Sequence, residues 1–168
     1  MNSFVVGALP VVLAVLAASA TLAGSPADLY TLNCWGCHQP HAEGIPGTVP
    51  RLAHSMGDFL KVPGGREYLV QVPGVATAAL SDAEIAEVLN WLLFTFNQPE
   101  LPKDFKPYTA TEVALDRAHQ LIRVVETRDA LIKDLKAKGI ELPDDRFSGE
   151  PATSSSPSNG FALKGESR

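Results

Sequence analysis

The chain has 168 residues, a formal net charge of −5, 45% hydrophobic and 20% charged residues, and two cysteines. That length suits one compact domain with extended ends rather than two full domains. The acidic balance argues against nucleic-acid binding, which needs basic surface to neutralise phosphates. Cys34 and Cys37 are too few to build a disulfide scaffold.

Phe4 to Ala23 carries no charge and is rich in Leu, Val and Ala, with Gly7 and Pro10 interrupting it. Ala18-Ser19-Ala20 and Thr21-Leu22-Ala23 each satisfy a small-x-small cleavage rule. Residues 1–24 therefore read as a signal peptide. The alternative is an uncleaved membrane anchor, since about 20 apolar residues just span a bilayer. Both readings export the remainder of the chain, and a periplasmic location is expected, with membrane association if the segment is retained.

A short helix is predicted over Ala27–Leu32. Gln39–Pro50 holds Pro40, Gly44, Pro46, Gly47 and Pro50, which leaves no room for a regular element. Phe59–Val62 is a short apolar piece closed by Pro63-Gly64-Gly65, and Arg66–Val72 predicts one or two helical turns stopped by Pro73-Gly74. The clearest helix opens with the capping box Ser81-Asp82-Ala83-Glu84. Ile85, Val88, Leu89, Leu92 and Phe96 then recur at helical spacing, and Pro99 and Pro102 end it. A second box, Thr109-Ala110-Thr111-Glu112, predicts one long helix to about Lys138, with Gly139 as its stop and a stripe of Ala114, Ala118, Leu121, Val125, Ile132 and Leu135. Pro151–Gly160 is rich in Ser, Pro, Gly and Asn and predicts a disordered tail. No segment alternates with period two, so the expected class is all-α. The expected organisation is a core domain over 25–99, a helical extension over 100–142 and a tail over 143–168. Residues 1–99 carry three basic against seven acidic residues, and residues 100–168 carry eleven against twelve.

The motif that carries chemistry is Cys34-Trp35-Gly36-Cys37-His38. C-x-x-C-H reads as c-type haem attachment. Two thiols on one helical turn can each add to a vinyl group of one porphyrin, and the adjacent His38 is placed to bind the iron. A thioredoxin-like reading would need a βαβ pattern. A disulfide over three positions closes too short a loop to stabilise much, and a zinc site would need two of the histidines as further ligands.

Over about Ala27–Phe96 the sequence resembles a class I cytochrome c of the small bacterial monohaem type. Beside the C-x-x-C-H motif, the resemblance rests on Tyr30 a turn before the first cysteine, on Val49-Pro50-Arg51-Leu52 after the motif, and on the Ser81–Glu84 box with Trp91 in the helix it opens. It implies an all-α haem domain with one covalent haem c and its iron, attached at Cys34 and Cys37 and ligated by His38. It also implies a non-enzymatic carrier, taking single electrons from a dehydrogenase and passing them to a respiratory oxidase or another cytochrome. The 111–138 helix and the tail lie outside the resemblance.

The second iron ligand departs from the family pattern, which usually supplies methionine from the loop before the Ser-Asp-x-Glu helix. Here that loop, Val72–Leu80, contains no Met, His, Lys or Tyr. Because Met1 leaves with a cleaved signal, Met56 is the expected distal ligand; its bland role is core filling. His54 is the alternative and would lower the potential by removing the sulfur. A vacant or water-bound position, or His119, remains open. Pro46 or Pro50 could orient His38 through a carbonyl. Arg51, Arg66, Tyr68 and Trp91 are candidates to meet haem propionates, with ordinary surface or core placement as their plain reading. His41 reads as an exposed loop histidine. Two rival functions remain: a five-coordinate haem that binds a small gas or peroxide, as sensor or enzyme, and a subunit held to a larger dehydrogenase or oxidase by its C-terminal helix.

Overall fold

The computed structural model describes residues 24–143. The expected signal segment and most of the expected tail lie outside the described residues. The described part is all-α, as the sequence implied. Its α-helices are α1 (Pro26–Asn33), α2 (Trp35–His38), α3 (Met56–Phe59), α4 (Gly65–Gln71), α5 (Pro73–Ala76), α6 (Asp82–Phe96), α7 (Ala110–Arg117) and α8 (Val124–Ala137), with a 3-10 turn at Gln98–Glu100. The one β-type pairing among the described residues is an isolated bridge between Ile45 and Val49.

The starts of α1, α5 and α6 have local causes. Ser81 Oγ accepts from Glu84 N–H while the Glu84 carboxylate accepts from Ser81 N–H, so the capping box that starts α6 is complete. Ser25 and Asp28 do the same for α1, with Pro26 at its first position. Pro73 does not simply stop α4. Its fixed φ suits a first helical position, and it opens the short α5.

α1 packs across α6. The Tyr30 and Trp91 rings lie 5.4 Å apart at 43°, and Trp91 meets Phe96 edge-on at 5.4 Å. Leu89, Leu92 and Leu93 on α6 are buried, each side chain contributing on the order of 2 kcal/mol. The chain between α6 and α7 is stitched down by polar contacts. Asn90 exchanges two hydrogen bonds with the Tyr108 backbone, and the Tyr108 hydroxyl donates to the Arg66 carbonyl at 2.9 Å.

The single long C-terminal helix expected from the sequence is two helices, separated at 118–123. The second capping box forms only half: Thr109 Oγ1 accepts from Glu112 N–H, but the Glu112 carboxylate pairs with Arg66 of α4 instead of turning back. After Arg117 the backbone leaves the helix, and Leu121 N–H donates across space to the Gln71 carbonyl at 2.9 Å. Within the break, the β-branched Ile122 weakens helix continuation locally. The break lets α7 lie on α6 and α4 while α8 packs on α3 and α4.

Candidate haem site

Cys34 and Cys37 flank and occupy the short α2, and His38 ends it. Neither cysteine forms a disulfide. His38 Nδ1 lies 3.1 Å from the Pro50 carbonyl oxygen, an acceptor only, so Nδ1 carries the proton and Nε2 keeps its lone pair. Burial holds the His38 imidazole below its usual range, with the Pro50 hydrogen bond opposing. The outcome is a neutral ring of defined tautomer, the form a metal binds. Of the two prolines expected to present a carbonyl, Pro50 does so. The Tyr30 hydroxyl donates to the Gln39 carbonyl at 2.6 Å and ties α1 to the turn after His38, and its pKa is pushed up to about 12, chiefly by burial.

Cys34, Cys37, His38 and Pro50 share the wall of a cavity of about 360 Å³. Leu52, Met56, Phe59, Leu69, Val88 and Leu92 make most of its lining apolar. This volume falls in the range of about 300–1,000 Å³ typical of cofactor sites. Polar groups also line the wall. Ser55 Oγ is buried there without a hydrogen-bond partner among the described residues. Arg51 and Tyr68 lie on the wall, as does Arg128, which is 1% exposed and has its guanidinium carbon 5.5 Å from the Phe59 ring centroid. The donor set therefore fits a large flat apolar group with anionic substituents: two thiols, one imidazole, an apolar slot, and hydroxyls and guanidiniums able to face carboxylates.

The remaining candidates separate clearly. Met56 is buried and lines the cavity. His54, two positions earlier, has φ +55°, an exposed side chain, and Nδ1 3.0 Å from Glu100 Oε1; it does not line the cavity. His41 and His119 are exposed. Arg66 does not reach the cavity. Its guanidinium pairs with Glu112, donates to the Lys106 carbonyl and covers the Tyr108 ring at 4.1 Å. Trp91 packs on Tyr30 and Phe96 rather than on the cavity wall. Arg128 and Val124, both on α8, were missed by sequence reasoning. Their positions in a charged amphipathic stretch gave no signal of a return to residues some 70–90 positions earlier.

A small helical domain that gathers two thiols, an oriented imidazole and an apolar slot is a haem-binding domain of the c type. Comparison with known proteins agrees. The cytochrome c family pattern matches residues 27–95. A cytochrome c-552 of Thermus thermophilus is 39% identical over 107 residues, covering 53% of this chain and 82% of the relative. A cytochrome c-552 from strain ATCC 27634 of that species is 38% identical over 107 residues, covering 53% of this chain and 72% of the relative. The chain belongs to the cytochrome c family: it is an electron-transfer protein with one covalent haem c, and not an enzyme.

Proposed function

We propose that this chain is an exported, periplasmic monohaem carrier. It takes single electrons from a dehydrogenase and passes them to a respiratory acceptor. Cys34 and Cys37 hold the haem as thioethers, His38 Nε2 is the proximal iron ligand, and Met56 is the distal one. The observation that carries this reading is that both thiols and the Pro50-oriented imidazole share the wall of one apolar cavity. The haem supplies a ferric–ferrous couple; the protein supplies position, dielectric and docking surface. Pro50 fixes the face that His38 presents. The leucines and valines of α4 and α6 exclude water, and a dry site reorganises little when its charge changes by one. Met56 is favoured over His54 because its side chain is buried on the cavity wall, whereas the His54 ring is directed to Glu100.

The test has three parts. The reduced protein should show c-type bands, lost in Cys34→Ser/Cys37→Ser. The ferric protein should show the weak sulfur-to-iron band, absent in Met56→Ala; an unchanged ferric spectrum there refutes Met56. Fractionation of the expressing cells should place the protein in the periplasm, and retention in washed membranes would replace the cleaved signal by the anchor.

A second reading, a five-coordinate haem, has one specific observation behind it. The segment between α4 and α6 puts only apolar side chains, among them Val72, Val75 and Leu80, onto the cavity wall. Fast carbon monoxide binding to the reduced wild type favours this reading over Met56.

A further inference from the structure

The 72–80 segment carries no Met, His, Lys or Tyr, yet six of its residues line the cavity: Val72, Pro73, Gly74, Val75, Ala78 and Leu80. What holds such a segment in place lies on its other side. Arg117, the last residue of α7, directs its whole guanidinium at it. Nε donates to the Ala76 carbonyl at 3.2 Å and Nη2 to the same oxygen at 3.1 Å. Nη2 also donates to the Ala78 carbonyl at 2.9 Å, and Nη1 to the Leu80 carbonyl at 2.9 Å. The fifth bond runs from Nη1 to Asp82 Oδ1 at 2.9 Å, at the start of α6. A guanidinium has five N–H donors, and all five are spent here.

These bonds span the segment. They take carbonyls from the end of α5, from the turn and from the residue before the Ser81 cap, none of which α5 or α6 uses internally at those positions. The internal bonds of the segment are few: Val75 and Ala76 N–H to the Val72 carbonyl, Thr77 N–H and Oγ1 to the Pro73 carbonyl, and Ala78 N–H to Val75. A four-residue helix of that kind does not hold itself in water.

We propose that Arg117 is a positioning residue of the haem site, which clamps the 72–80 segment against the cavity and so sets how readily a small neutral molecule reaches the iron. The inference rests on the family reading and on the cavity being the haem site. It holds whether or not Met56 is a ligand.

The experiment uses the haem-loaded chain. Hydrogen exchange is followed at the amides of Val75 to Ala78, with α6 amides Val88 to Leu92 as internal reference, in wild type, Arg117→Ala, Arg117→Lys and Arg66→Ala. Arg66→Ala is the control, because it cuts a different polar tie of α7 to the rest of the domain, the pair with Glu112. Arg117→Ala should speed exchange at 75–78 by about tenfold or more while leaving the α6 reference unchanged. Lysine, with three donors in place of five, should fall between. Carbon monoxide association is then measured in reduced Met56→Ala with and without Arg117→Ala, so that sulfur never competes; the double variant should bind about tenfold faster. Exchange at 75–78 within about twofold of wild type in Arg117→Ala overturns the proposal. So does equal acceleration by Arg66→Ala, which would mean general loosening of α7, or an unchanged association rate. Failure of the family reading would instead appear as loss of the c-type bands in every variant.

Discussion

Asn97→Ala removes the polar group that joins the end of α6 to the start of α3. Asn97 is fully buried. Its Oδ1 accepts from Ser55 N–H at 2.9 Å and from Gly57 N–H at 3.2 Å, and its Nδ2 donates to the Leu92 carbonyl at 3.1 Å. Alanine leaves two buried donors without an acceptor. At about 1–2 kcal/mol for each stranded group, the expected loss is about 2–4 kcal/mol. That is a large part of a domain stability of roughly 5–15 kcal/mol and corresponds to a fall in Tm of roughly 10 °C. The assay is guanidinium unfolding of the haem-loaded protein, followed by far-ultraviolet circular dichroism. Because Ser55 and Gly57 flank Met56, the ferric sulfur band should weaken in the same variant. A loss below about 0.5 kcal/mol, the size of a surface substitution, would refute the reasoning.

Gly65→Ala should cost roughly 3–5 kcal/mol, because a Cβ there would overlap the Phe59 carbonyl oxygen, a backbone atom that cannot step aside; wild-type-like unfolding would disprove the close approach. Arg66 holds the Glu112 carboxyl below the usual range. A depressed folded value means that this contribution is present above the unfolded pKa and is lost as pH falls through the folded one. Wild type should therefore lose more stability than Glu112→Gln on going from about pH 5 to pH 3, by up to about 1 kcal/mol for a pair this exposed; parallel acid profiles would show that the pair contributes nothing. Protein made without haem should lack a fixed core, since a cavity of about 360 Å³ lined by leucine and valine cannot stay open at no cost. Sharp near-ultraviolet dichroism from the haem-free chain would contradict that.

The proposed attachment site was legible because its residues, Cys34, Cys37 and His38, stand together in one short stretch of sequence. The Ser81 cap was legible for the same reason, both of its bonds being local. Glu112 shows where locality stops. It stands at the right spacing for a capping box, but Arg66, 46 positions earlier, offers its carboxylate a charged partner and wins. The split of the C-terminal helix was hidden likewise, because the apolar stripe runs through the break and the bond that fixes it, Leu121 to Gln71, is tertiary. The sequence put Met56 ahead of His54 on residue chemistry alone; what turns the His54 side chain outward, its left-handed backbone and its contact with Glu100, is not written locally.

Val124 and Arg128 give the cavity a wall that is synthesised after all its others. The thiols precede it by about ninety residues. A chain emerging in order therefore presents Cys34 and Cys37 while the slot beside them is still open on the α8 side. Residue order alone thus makes α8 the last wall of the slot to exist: until Val124 and Arg128 are added, the cavity is a cleft open on that side.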